Sequence, residues 1–183
     1  MHVEFTRIPH RDALPPYRTT SIGKMIDSYL QSKSELDDHA IHLLFSANRW
    51  ELASTIEDLL ESGTTVLCDQ YAFSGIAFSA SKDLPYEWCR SPDVGLPAPD
   101  LVVYLDITPE KVRQRGEYGN ERYEKEEMQR RVREQYKRIE SENVVQWATI
   151  DAGREREQVA ADIWTRVEPL VDGTDHAIAK LWV

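Results

Sequence analysis

The chain has 183 residues, 22 basic against 32 acidic, and a formal net charge of −10 at pH 7. That length suits one domain with its own core, and the acidic balance excludes a surface that grips polymeric nucleic acid by neutralising phosphates, although a small anion could still be met by a local group of arginines. With 41% apolar residues and two cysteines, the composition excludes disorder, a disulfide scaffold and a paired-cysteine metal site, and a reducing compartment is expected.

The first apolar run, Val3 to Ile8, reads as a strand; it carries charge within it and no secretory pattern, and no segment offers the ~20 apolar residues that span a bilayer. Pro15-Pro16 marks a loop. A long helix is predicted from Asp37-Asp38, acidic residues suited to a helix start, through Ile41, Leu44, Phe45, Trp50, Ile56 and Leu60 to a stop at Gly63. Thr64 to Cys68 is the second strand, and the proline-rich stretch Ser91 to Pro99 is a loop. Leu101 to Asp106 is the third strand. A charged helix over about 121–142 follows, with Met128, Val132, Tyr136 and Ile139 as its apolar stripe. Val144 to Ile150 is the fourth strand. A last helix over about 155–168 is ended by Pro169. Strands alternating with helices predict an α/β fold built from parallel crossover units, one domain over 1–183.

In such a sheet ligands bind beyond the carboxyl ends of the strands, so the residues at those tips matter most. Asp69 ends the second strand as an acidic residue that holds magnesium or its water would, and equally as one that caps the following helix would. Phe45 and Arg49, four apart on the long helix, could stack on a base and bond its edge, or could be a core ring and a partner of Asp or Glu. The cluster Arg113, Arg115, Gly116, Glu117, Tyr118, Gly119, Asn120, Glu121, Arg122 and Tyr123 reads as a lid able to close over phosphates, or as a charged turn. His39 and His42 lack a third ligand at metal spacing.

Taken in order, Ser21-Ile22-Gly23-Lys24, the run His42 to Glu51, Asp69-Gln70-Tyr71-Ala72-Phe73-Ser74-Gly75-Ile76-Ala77-Phe78, Trp88 to Asp100 with Pro-Asp-Val-Gly-Leu-Pro at its centre, and Gly116 to Glu124 resemble the thymidylate kinase family, nearest its eukaryotic branch. The resemblance covers nearly the whole chain. It implies a nucleoside monophosphate kinase that phosphorylates dTMP to dTDP with ATP and Mg2+, works as a homodimer, engages neither a nucleic-acid polymer nor a membrane, and resides in cytoplasm or nucleus. It implies a three-layer P-loop-NTPase-like parallel sheet flanked by helices. Carried over by position, Phe45 stacks on thymine and Arg49 donates to the base edge. Arg18 and the position of Gln70 meet the substrate phosphate, while Ser74, Gly75 and Phe78 wall the thymine and deoxyribose. Tyr123 belongs to the lid, Arg115 and Arg122 neutralise charge during transfer, and Asp69 is the acidic residue that Mg2+ meets indirectly. Asp151-Ala152-Gly153-Arg154 passes the adenine.

Three departures accompany the resemblance. Gln70 stands where the family usually has Arg, which exchanges a charge-assisted bond worth about 1.5–3 kcal/mol for a neutral one. Ile8 stands where Phe is common, and Asp12 to Tyr17 lengthens the loop before Arg18. No Gly-x-x-x-x-Gly-Lys-[Ser/Thr] occurs, since Gly23-Lys24 is followed by Met25. In the family that loop belongs to the first, central strand, so the sequence is expected to lack that strand and the donor-phosphate cradle, as an amino-terminally truncated form would. Two other readings stand beside a kinase: a non-catalytic module that binds dTMP or pairs with a full-length subunit, and a structural α/β domain whose pocket has decayed.

Overall fold

The computed structural model describes residues 2–6, 20–108, 111, 126–171, 173–174 and 176–183. Strand β1 is His2–Thr6, followed by helices α1, Ser21–Leu30, and α2, Asp38–Glu61. Then come β2, Val66–Asp69; α3, Ala72–Ala80; α4, Tyr86–Arg90; and a 3-10 turn, Ser91–Asp93. Strand β3, Leu101–Asp106, α5, Glu126–Ser141, β4, Trp147–Asp151, and α6, Arg156–Val167, complete the order.

The helix ends follow from local chemistry. The Asp37 side chain accepts from the His39 N–H at 2.9 Å and so caps α2, where the acidic pair predicts a start. At the other end Gly63 adopts φ +81°, the Gly63 N–H returns to the Leu60 carbonyl, and the Thr64 N–H returns to Leu59. This is a Schellman stop, and it turns the chain directly into β2. Thr20 caps α1 by accepting from the Gly23 N–H at 3.0 Å.

Helix α3 escapes the sequence reading for a physical reason. Ala72, Phe73, Ser74, Ile76, Ala77, Ser79 and Ala80 are all buried, so no polar face exists to reveal a helical period.

The sheet order is β2-β1-β3-β4. β3 and β4 pair in parallel, Val103 opposite Ala148, as crossover units require. β1 departs from the expected all-parallel sheet. It runs antiparallel to both neighbours, with Val3 opposite Asp69 on one side and opposite Val103 on the other. The α/β class holds, but the expected gap at the central strand is not there: the position between β2 and β3 is taken by β1. Two parallel strands left side by side without a partner would bury unpaired N–H and C=O groups, and an antiparallel strand satisfies that ladder as a parallel one does.

Helices cover both faces. On one, Val66, Cys68, Val102 and Tyr104 meet Ala53, Ile56 and Leu60 of α2, Phe73 and Ile76 of α3, and Val132, Tyr136 and Ile139 of α5. On the other, Leu101, Val103, Ala148 and Ile150 meet Val159, Ile163 and Val167 of α6. β3 is buried on both faces, which explains its unbroken apolar run, and each such residue contributes about 1.5–3 kcal/mol. A third, smaller cluster of Ile26, Tyr29 and Ile41 joins α1 to α2. The carboxyl-terminal segment closes the main core: Leu181 is wholly buried, and its N–H and C=O bond Leu96 and Gly95.

Candidate functional site

The β2–α3 junction is the first strand tip to consider. Asp69 is exposed at the end of β2. The capping alternative for Asp69 fails, because the residue at the start of α3 is Tyr71 and the helix has no side-chain cap. Its first turn therefore presents uncapped backbone N–H groups beside an exposed carboxylate, a setting suited to an anion together with its counter-cation. Between them Gln70 is exposed and held at φ +66°, a left-handed conformation that costs a non-glycine residue about 1–2 kcal/mol.

Helix α2 approaches this junction from the side. Its residues His42, Ser46 and Arg49, spaced i, i+4 and i+7, form one row that faces α3 and the segment Cys89 to Asp93. The Arg49 guanidinium donates to Asp93 twice, from Nε to Oδ1 at 3.1 Å and from Nη2 to Oδ2 at 2.6 Å. Asp93 is completely buried, and the Arg49 side chain is 10% exposed. The same guanidinium closely approaches Gly75 of α3: a Cβ there would sit 2.9 Å from Nη2 and 3.1 Å from Nη1. Gly75 is thus required by close approach and not by its backbone angle. Of the two alternatives for Arg49, the ion pair is present, and it aims the residue at the start of α3.

Ser46 Oγ donates to Asp93 Oδ1 at 2.7 Å, and Trp50 Nε1 donates to the Pro92 carbonyl at 2.7 Å. His42 is wholly buried. Its Nε2 donates to the Cys89 carbonyl at 2.9 Å, which leaves Nδ1 of the neutral ring to accept from the Ser79 hydroxyl at 2.8 Å. Burial, and then the neighbouring Arg49 charge, push the His42 pKa below its ordinary 6.5. Burial likewise pushes the Cys89 thiol up to about 11, so it stays protonated and unreactive.

The remaining predicted pocket residues lie close by. Ser74 is buried, and its hydroxyl makes no hydrogen bond, a condition that costs about 1–3 kcal/mol. Phe78 packs partly buried on the main core. Phe45 packs partly buried on the α1–α2 cluster of Ile26, Tyr29 and Ile41, so the ring serves the core on at least one side.

The β4 tip is built differently. Asp151 is exposed, and its Oδ1 accepts from the Gly153 N–H at 2.8 Å to form a tight turn. The end of the flexible Lys111 side chain lies over Gly153. Ala152 is buried, while Arg154 pairs with Asp162 of α6. At the β3 tip Asp106 pairs with Arg133. Arg18, Arg115, Arg122 and Tyr123, with the lid segment that contains the last three, lie outside the described residues.

Sequence reasoning assigned no role to Asp93, Ser46, His42 or Lys111. Asp93 stands inside the Pro-Asp-Val-Gly-Leu-Pro stretch, yet its partners are 44 and 47 residues away, a separation no spacing rule reads.

Comparison with known proteins gives a consistent result. A family profile described as thymidylate kinase matches residues 10–163. The chain is 46% identical over 169 residues to a thymidylate kinase of Danio rerio, covering 91% of this chain and 80% of that one. It is 41% identical to a thymidylate kinase of Homo sapiens, with the same coverage of 91% and 80%. Among solved structures, thymidylate kinase from Candida albicans superposes with a TM-score of 0.80 at 33% identity, covering 91% of this chain and 83% of that one. With the profile spanning most of its length and relatives matched along four fifths of theirs, this chain belongs to the thymidylate kinase family of phosphotransferases.

Proposed function

We propose that the edge formed by α2, α3 and the Ser91–Asp93 turn binds dTMP, which becomes dTDP when a phosphoryl group arrives from ATP. The observation that carries the reading is Arg49, fixed by Asp93 and pressed against Gly75 at the start of α3. A guanidinium so held is a preorganised donor for a carbonyl on a base edge. Phe45 supplies the ring that stacks on the base, and Ser74, Gly75 and Phe78 supply the wall. The orphan hydroxyl of Ser74 supports a polar ligand there. The acceptor phosphate belongs at the uncapped start of α3, near Gln70, and the family resemblance gives Arg18 as a further partner for it.

Mg2+ fits this site in one way only. It is a hard cation that takes oxygen ligands, and Asp69 offers an exposed carboxylate, but among the described residues no group of three acidic, His or Cys side chains gathers into a cage. The ion, arriving with ATP, would be held chiefly by phosphate oxygens and water, with Asp69 as an indirect acceptor, and would supply charge neutralisation during transfer. By the family resemblance, Arg115 and Arg122 would add positive charge during the transfer. The adenine lies along Asp151 to Arg154, where the end of the Lys111 side chain lies over Gly153 and Arg154 is tied back to Asp162. A homodimer is supported by the exposed Leu43 and Trp50, two turns apart on α2, which leave an apolar stripe on that helix.

The 183 residues contain no Gly-x-x-x-x-Gly-Lys-[Ser/Thr], so acceptor binding and phosphoryl transfer are separable claims. That observation favours, as a second reading, a module that holds dTMP without transferring phosphate. Calorimetry with dTMP tests the first claim: saturable binding is expected, and its absence defeats both readings. A coupled assay with dTMP and Mg·ATP separates the two, since turnover by this chain alone would rule out the non-catalytic module, and binding without turnover would favour it.

A further inference from the structure

The segment 178–182 touches all three parts of the edge formed by α2, α3 and the loop that begins at the Ser91–Asp93 turn. Against the loop it runs as a short antiparallel pair, with Pro97 opposite Lys180. The Leu181 N–H donates to the Leu96 carbonyl at 2.9 Å, the Gly95 N–H to the Leu181 carbonyl at 3.0 Å, and the Ala98 N–H to the Ala179 carbonyl at 2.8 Å. Toward α2, the Lys180 ammonium pairs with Glu57. Toward α3, the Trp182 ring meets Phe73 edge-on at 5.7 Å, and Phe73 immediately precedes Ser74 and Gly75 in the first turn of that helix.

The loop depends on these contacts. Its own backbone bonds beside Asp93 are long, from the Val94 N–H to Ser91 at 3.4 Å and from the Leu96 N–H to Asp93 at 3.2 Å. The shorter bonds to 178–182 therefore fix where the chain leaves the turn. Leu96 and Leu181 are both wholly buried, so the junction belongs to the main core and is not a surface overlay. Trp182 stands at φ +55°, a left-handed conformation that a bulky residue keeps only where its surroundings hold it. Phe73 holds it on one side. Arg90 of α4, whose guanidinium carbon lies 6.0 Å from the indole centroid, holds it on another. Because α4 runs directly into the Ser91–Asp93 turn, one indole joins the first turn of α3 to the helix that leads into that turn.

Resting on the dTMP-binding reading above, we propose that Trp182 is a positioning residue for the acceptor site: carried on the segment 178–182, it sets the separation between the first turn of α3 and the Ser91–Asp93 turn. Trp182 touches no substrate. Its effect reaches the site through Phe73 and α4, since close-packed side chains cannot shift singly. The coupling is reciprocal, so dTMP bound at the edge holds 178–182 in place in turn.

Trp147 of β4 provides the control. It too meets Phe73 edge-on at 5.7 Å, but it comes from the sheet and packs on Tyr104 and Tyr136, whereas Trp182 joins Phe73 to α4. The full chain, Trp182→Leu and Trp147→Leu are titrated with dTMP by calorimetry and unfolded in urea. Both variants should lose stability. Trp182→Leu should also weaken dTMP binding about tenfold, within the range of coupling between distinct sites, while folded Trp147→Leu binds as the unmodified chain does. If either variant does not fold, Trp182→Phe and Trp147→Phe, which keep a ring at each position, carry the comparison, with a loss of about threefold expected for Trp182→Phe alone. A merely structural role for Trp182 would lower stability and leave the affinity of the folded protein unchanged, or would alter affinity equally in both variants. Either result overturns the proposal while leaving dTMP binding intact. Failure of the unmodified chain to bind dTMP overturns the site reading, and the role of Trp182 with it.

Discussion

The two sides of the sheet's carboxyl edge make an instructive pair. On the α2–α3 side a row of largely buried polar groups is tied across long sequence separations: His42 to Cys89 and Ser79, Ser46 and Arg49 to Asp93. On the β4 side the polar groups are exposed and their bonds are local, such as Gly153 to Asp151 and Arg154 to Asp162. The first arrangement couples site geometry to the core, so a side chain there cannot be changed without folding free energy changing as well. The second leaves the turn free to vary while the backbone keeps its shape.

The largest test of that contrast is Phe73→Ala. Phe73 is 1% exposed and packs edge-on against Trp147 and Trp182, both at 5.7 Å. Its loss should destabilise the chain by about 3–5 kcal/mol in urea unfolding. A cost near that of a surface change would mean that the α3 side is no more rigid than the β4 side.

Gly75→Ala ranks second. The new methyl would meet an Arg49 that Asp93 prevents from yielding, and a loss of about 1–3 kcal/mol is expected, accompanied by weaker dTMP binding. Full stability would show that Arg49 swings aside freely.

The next test uses pH. Because His42 is neutral in the fold and its pKa lies below 6.5, the unfolded imidazole takes up its proton first as the solution is acidified. Its contribution is fully present above that value and is lost as pH falls through it toward the folded pKa, so the unfolding free energy should decline with acidification below neutrality. His42→Gln should flatten this part of the profile. An unaltered slope between the two proteins would remove His42 as its source.

The smallest effect belongs to Arg154→Ala. Both members of its pair with Asp162 are substantially exposed, and a change of about 0.5 kcal/mol or less is expected by the same urea measurement. A loss comparable to that of Gly75→Ala would erase the contrast between the two sides.

How far these features can be read without a structure depends on the range of the interaction. Helix α2 was legible from Asp37 to Gly63 because both its ends are set by residues adjacent in the chain. The run Leu101 to Asp106 was legible because burial on both faces leaves an unbroken apolar string. Helix α3 was not, since an element buried all round carries no alternation. Nor was the direction of β1: a five-residue strand has the same pattern read either way, and only the neighbours it pairs with settle whether it runs with or against them.

The site divides in the same manner. Phe45, Arg49, Asp69, Ser74 and Gly75 could be named from motif order alone, because family motifs record which residue types occur and in what sequence. The locking of Arg49 could not, because it depends on a carboxylate 44 positions away that becomes a neighbour only when α2 packs against the Ser91–Asp93 turn. The amino-acid order by itself determined the α/β class, the family and the candidate donors. Tertiary packing alone decided the strand direction at the sheet centre and the pairing of Arg49 with Asp93, because both are set by contacts between segments that the chain keeps far apart until it folds.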